Sequence, residues 1–117
     1  MNIDTVRDAW TNRAGEYSPT YYAHYGPNET SELIREALAA RLDRDAAVLE
    51  LGCGSGRHLE HLADAGFEDL SGVDINAEAF ETMRDAYPEL AAEGTFHRGP
   101  IEDLVGEFDD GAFDAVY

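Results

Sequence analysis

The segment VLELGCGSGRH, residues 48–58, constrains the fold more than any other stretch of this chain. An apolar run leads into glycines at alternate positions, Gly52, Gly54 and Gly56, and a helix-like pattern leads out. Glycine has no Cβ, so such a bend lets the backbone and a ligand approach closely. A helix that starts just after the bend offers free N–H groups and the positive end of its dipole. Strand, glycine bend and helix in that order predict an α/β fold. They also predict a ligand bearing a carboxylate or a phosphate at the carboxyl end of the strand.

The flanking sequence repeats the alternation. AVLEL (47–51) reads as a short apolar strand, and Gly56 to Ala65 as a helix with Leu59, Leu62 and Ala63 on one face, ending at Gly66. LSGVD (70–74) is a second strand. Asn76 is placed to cap a helix carrying Ala79, Phe80, Met83 and Tyr87, with Pro88 at its end. TFHRG (95–99) and FDAVY (113–117) read as third and fourth strands. Upstream, Ile3, Val6 and Trp10 give a helical pattern over 3–13, followed by the irregular, tyrosine-containing SPTYYAHYGPNET (18–30). Asn28 or Thr30 is expected to cap a helix with Leu33, Ile34, Ala37, Leu38 and Leu42 on one side. Alternating strands and helices imply a parallel sheet with flanking helices.

Composition narrows the partners. The 117 residues suit one small domain. The net charge is −17, all eight basic residues are arginine, and lysine is absent. Acidic residues are scattered rather than blocked, which suits a salt-adapted surface better than a disordered acidic tail. At molar salt the Debye length is about 3 Å, so the acidic balance alone does not decide against RNA. Nucleic acid is nonetheless not the expected partner, because no basic, aromatic-rich stripe is present. No apolar run reaches membrane-spanning length, and MNIDTVRDAW lacks a secretory pattern. The single cysteine, Cys53, allows no intrachain disulfide and no cysteine zinc cluster. A cytoplasmic protein without a membrane partner is expected.

Three ligand classes compete for the glycine bend. A nucleoside-triphosphate loop needs a lysine, which this chain lacks. The dinucleotide fingerprint G-x-G-x-x-G wants a small residue where Arg57 stands, which counts against a pyrophosphate held tightly on the helix. The third reading rests on Glu50 through Gly56, E-x-G-x-G-x-G, which resembles the first motif of the class I S-adenosylmethionine-dependent methyltransferases. Asp74, ending the second strand eighteen residues after Gly56, suits the two hydroxyls of a ribose, although NAD enzymes use the same device. HRGPIEDL (97–104) resembles the family's segment after strand three, FDAVY its fourth-strand motif, and WTNRAGEY (10–17) the helix preceding the fold in small-molecule members.

The resemblance implies a Rossmann-like fold of class I methyltransferase type, with S-adenosylmethionine as cofactor. It implies that Glu50 meets the methionine amino group, and that Gly52, Cys53 and Gly54 let the methionine portion pass, with Gly56 closing the motif. Asp74 would hold the ribose, Ile75 would pack on adenine, and Ile101 and Glu102 would border the adenine edge. Arg13 is a candidate partner for the methionine carboxylate. Family members often carry Asp where this chain has Pro100, which has neither a side-chain acceptor nor a backbone N–H. Cys53 is expected to pack rather than react, since only Arg57 and His58 lie near it in sequence. His58, His61 and His97 are expected to be surface histidines rather than metal ligands. Tyr17, Tyr21, Tyr22 and Tyr25 either cover the cofactor or pack the first helix onto the body. No catalytic residue is identified, and none is required for in-line transfer to an acceptor that loses no proton.

The expected organisation is residues 1–30 as an N-terminal helix with a Tyr-rich, lid-like segment, and residues 31–117 as an incomplete S-adenosylmethionine-binding domain. The family fold has seven strands and this chain reads as the first four, so the fold is expected to be truncated after strand four. Much of one sheet face and the fourth-strand edge would then be exposed, inviting a partner chain or self-association. The functional expectation is the cofactor-binding half of a methyltransferase whose acceptor is a small molecule, the fragment itself being inactive. A non-catalytic S-adenosylmethionine-binding or interaction module and an NAD(P)-binding oxidoreductase are the alternatives.

Overall fold

The computed structural model describes residues 26–117. The helix read over 3–13, the four tyrosines at 17, 21, 22 and 25, and Arg13 lie outside the described residues. The first described helix, α1 (Glu29–Ala39), starts at Asn28. The Asn28 side chain accepts from the Ser31 amide at 3.0 Å, and Ser31 Oγ accepts from the Asn28 amide at 3.0 Å. Each end of this box satisfies an amide the helix would otherwise orphan. Ile34, Leu38 and Leu42 pack toward the core, while Leu33 is 65% exposed. The apolar stripe is therefore narrower than the spacing predicts, and Leu42 falls in the turn after the helix.

Four parallel strands follow, in the order β3-β2-β1-β4. β1 is Ala47–Leu51, β2 Asp69–Asp74, β3 Thr95–Arg98 and β4 Ala115–Val116. Between them lie α2 (Arg57–Asp64), α3 (Ala77–Ala86), α4 (Pro88–Glu93) and α5 (Ile101–Leu104), the last continued by a 3₁₀ turn over Val105–Glu107. Asn76 caps α3, its side chain accepting from the Glu78 amide at 3.0 Å. Pro88 does more than end α3. It occupies the first turn of α4, where its missing N–H costs nothing.

One core lies between the sheet and these helices, built from Val48, Leu59, Leu62, Phe67, Leu70, Phe80, Met83 and Leu90. Gly56 sits against it with φ +92°, and a Cβ there would come within 2.9 Å of both Leu90 Cδ2 and Met83 Cε. Both the backbone and the packing therefore demand glycine at the start of α2.

The opposite face is less open than the sequence suggests. Leu49, Ser71 and Val73 are all buried there. The β3–β4 connection contributes rings, with Phe108 edge-on to both His97 and Phe113 at 5.2 Å. The outer edge is a short strand, and Val116 is 53% exposed. Backbone pairing to β1 runs beyond it, from Asp114 N–H to Ala47 O at 2.8 Å through Tyr117 N–H to Leu49 O at 3.0 Å. No helix among the described residues is long and apolar enough to cross a membrane.

Candidate functional site

The carboxyl ends of β1 and β2 lie side by side, because Glu50 pairs with Gly72 and Leu51 with Val73. The chain leaves β1 through Gly52, Cys53 and Gly54 and enters α2 at Gly56. The amides of Gly52 and Cys53 both donate to Val73 O, at 2.8 and 3.0 Å, and the Gly56 amide donates to Cys53 O at 3.0 Å. The Gly54 amide donates to Asp74 Oδ2 at 2.8 Å. These four amides are thus spent within the protein. What the bend presents is bare backbone: Gly54 has φ +57° and nothing within 4 Å of an added Cβ, and Gly52 has the same openness. That suits close passage of a ligand chain more than a nest of free amides around a phosphate.

The two carboxylates of the site differ. Asp74 is half-buried, and its Oδ1 accepts from the Asn76 amide at 2.8 Å while Oδ2 takes the Gly54 amide. A carboxylate has about four acceptor positions, so two remain for hydroxyl groups. Glu50 is 5% exposed, and its Oε1 is enclosed with no hydrogen-bond partner. Burial, reinforced by the Asp74 charge and opposed by Arg57, pushes its carboxyl up to about 8. An enclosed, unpartnered acid of this kind costs free energy unless something arrives to pair with it.

Cys53 is buried and packs on the neighbouring strand; a Cβ at Gly72 would fall 2.7 Å from its Sγ. Its thiol donates to Gly54 O at 3.6 Å, and burial, with the Asp74 and Glu50 charges, pushes its ionisation far up. That geometry fits the packing expectation and not a nucleophile.

The other sequence-expected residues sit at the same end of the sheet. Ile75 is half-buried just after Asp74. The Gly99 amide donates to Asp74 O at 2.9 Å, drawing the start of α5 against the end of β2. Ile101 and Glu102, in the first turn of α5, are exposed. Pro100 closes that turn with its carbonyl, which accepts from the Asp103 and Leu104 amides at 3.1 Å.

Two features escaped the sequence reading. Tyr117 stands beside Glu50, since Val48 pairs with Ala115 and Leu49 with Val116. Its hydroxyl is enclosed and unpartnered, as is Ser55 Oγ. Burial, with the Glu50 and Cys53 charges, pushes the phenol up. Extending the AVLEL/FDAVY pairing by one residue would have placed it.

The histidines of α2 are the second feature, and they are not plain surface groups. His58 Nδ1 meets Ser31 Oγ at 2.6 Å, and His61 Nε2 meets Glu32 Oε2 at 2.6 Å, tying α1 to the helix that begins at the glycine bend. Arg35 shares the Glu32 carboxylate. Burial lowers the His58 pKa, as does neighbouring Arg57. No group of three or more His, Cys, Asp or Glu side chains among the described residues could hold a metal ion.

Comparison with known proteins gives this geometry a context. A family model described as a methyltransferase domain matches residues 48–117, from β1 to the end of β4. Human EEF1A lysine methyltransferase 2 is 33% identical over 66 residues, which is 56% of this chain and 28% of that protein. The O-methyltransferase cnsE of Penicillium expansum is 24% identical over 121 residues, covering 97% of this chain and 44% of its own length. A crystal structure of a SAM-dependent methyltransferase from Thiobacillus denitrificans, in complex with S-adenosyl-L-homocysteine, superposes with a TM-score of 0.60 at 24% identity, over 99% of this chain and 42% of that one. The chain thus spans less than half the length of these relatives.

Proposed function

The chain belongs to the methyltransferase-domain family, and we propose that it is the cofactor-binding part of an S-adenosylmethionine-dependent methyltransferase. The observation that carries this reading is the enclosed Glu50 carboxyl, its Oε1 unpartnered, behind a glycine bend whose amides are already spent. A ligand with a cationic amino group supplies the missing partner, and a ligand whose main demand is pyrophosphate does not. The residues present fit S-adenosylmethionine. Glu50 takes the methionine ammonium, and Gly52, Cys53 and Gly54 form the wall along which the methionine portion lies. Gly56 holds the bend against Leu90 and Met83. The two remaining acceptor positions of Asp74 take the ribose hydroxyls. Ile75 packs on the adenine, and the Ile101 backbone and Glu102 border its edge.

The bound group supplies a methyl on a sulfonium, which leaves a neutral thioether when displaced in line. The chain's own contribution is alignment, worth up to about 7–11 kcal/mol in favourable intramolecular comparisons. Rigidity at the bend serves that end, because Asp74 is fixed at both oxygens and Cys53 is wedged against Gly72.

The acceptor in this reading is a small molecule, supported by the resemblance of residues 10–17 to the leading helix of small-molecule members. The human relative is by name a lysine methyltransferase, so acceptor class is a separate test from cofactor class. The acidic, lysine-free composition supports work at high salt.

The test is calorimetric titration of the folded chain in molar KCl with S-adenosylhomocysteine and, separately, with NAD. Binding of the former, lost in Asp74→Ala, is expected. Binding of NAD in its place overturns the reading.

A further inference from the structure

The register of β4 brings into the site a residue to which the sequence reading assigns no role there. Glu50 and Tyr117 occupy the next step of the ladder after Val48–Ala115 and Leu49–Val116, and the Leu51 amide donates to Tyr117 O at 2.6 Å. Their side chains leave the sheet on the same face. Each ends in an enclosed oxygen without a hydrogen-bond partner, Glu50 Oε1 and Tyr117 Oη. Of the Glu50 oxygens, only Oε1 is both enclosed and unpartnered. Among the described residues, the groups that interact electrostatically with Glu50 are Asp74 from β2, Arg57 from α2, Cys53 from the bend and Tyr117 from β4. Among them, Asp74 repels the carboxylate charge, and the Cys53 thiol is already directed to Gly54 O. A phenol hydroxyl is a donor, and an ionised carboxylate is an acceptor only. Pairing them removes two unmet polar groups at once.

We propose that Tyr117 is a positioning residue for Glu50: its hydroxyl donates to Oε1 of the ionised carboxylate, turning Oε2 toward the ammonium end of the ligand. This rests on the cofactor reading above and adds to it the residue that orients the acid. In this structure the two oxygens are not yet hydrogen-bonded to each other; Tyr117 acts through Glu50 and does not meet the reacting atoms.

The experiment is calorimetric titration of the chain and of Tyr117→Phe at pH 6, 7, 8 and 9. The probes are S-adenosylhomocysteine and 5′-methylthioadenosine, the same thioether without the amino-acid end. Phenylalanine keeps the ring and removes only the hydroxyl. The variant is expected to bind S-adenosylhomocysteine about tenfold more weakly at pH 7. It is also expected to need a higher pH for half-maximal affinity, and to bind 5′-methylthioadenosine as the parent does. Equal weakening of both compounds marks a packing role and overturns the proposal, as does no weakening of either.

A second comparison guards against a fold defect. In a Glu50→Gln background, Tyr117→Phe should change S-adenosylhomocysteine affinity by less than about twofold, since the ionised partner is gone. A full tenfold loss there also overturns the proposal. If the parent chain binds no S-adenosylhomocysteine at any pH, the cofactor reading fails, which is a different result from an unaltered Tyr117→Phe.

Discussion

β1 and β2 each bring one carboxylate to the same end of the sheet, and the protein treats the two in opposite ways. Asp74 is engaged by the backbone at both oxygens, accepting from Gly54 on one side and Asn76 on the other, with one acceptor position left on each. It closes the glycine bend and helps start α3, so it belongs to the fold as much as to a ligand. Glu50, on the neighbouring strand, is buried more deeply and has an oxygen with no partner at all. A satisfied acid holds structure together. An enclosed, unsatisfied acid destabilises it, and is retained where a bound group makes up the loss. The contrast separates the part of the site built for rigidity from the part built for recognition.

The largest effect should come from Asp74→Ala. It strands two amides, costing about 2–3 kcal/mol of stability, and it should also abolish detectable S-adenosylhomocysteine binding. Urea denaturation alongside calorimetry checks both. A variant that loses binding with unchanged stability would break the contrast, because Asp74 would then be a ligand group only. Glu50→Gln should show the other pattern. Its affinity for S-adenosylhomocysteine should fall about 10–100-fold, the worth of a hydrogen bond to a charged group, while its urea midpoint at pH 7 holds or rises.

Acidity sharpens the comparison further. The Glu50 carboxyl titrates near 8 when folded and near 4.5 as the ordinary value. Between those values the folded chain holds more protons than the unfolded chain, so this group's contribution to stability is present below about pH 4.5 and lost as pH rises through 8. Denaturation midpoints should therefore fall across that window in the parent and fall less steeply in Glu50→Gln. The background slope from the −17 net charge is common to both proteins and cancels in the difference.

The smallest effect is a control remote from both acids. Ser31→Ala removes half of the α1 capping box and the partner of His58. It should cost about 1 kcal/mol and leave both ligand affinity and the Glu50-dependent pH slope unchanged. A change in either would mean that α1 reports on the acid pair through α2.

Much of this was legible in the sequence because it is local. An apolar run into Gly52, Gly54 and Gly56 announces the bend, and Asn28 and Asn76 announce their helices through bonds spanning two or three residues. What stayed hidden depends on distant pairings. Tyr117 enters the site only through the register of β4 on β1, sixty-seven residues after Glu50. His58 and His61 find Ser31 and Glu32 only once α1 packs on α2. Pro88 marked the end of α3, but its second role, in the first turn of α4, stayed hidden because proline can end one helix and begin another. The acceptors of the bend's amides, Val73 O and the Asp74 carboxylate, come from the next strand, so no local pattern in the sequence marks them.

The measurement that bears most directly on the cofactor site is proton release on S-adenosylhomocysteine binding. It is read by calorimetry at pH 7 in two buffers of different ionisation enthalpy, for the parent chain and for Glu50→Gln. An acid titrating near 8 is mostly protonated at pH 7 and must ionise to meet an ammonium. The parent should release close to one proton per ligand bound, and Glu50→Gln should bind weakly and release essentially none. Tight binding without proton release, or the same release in both proteins, would contradict the role assigned to Glu50.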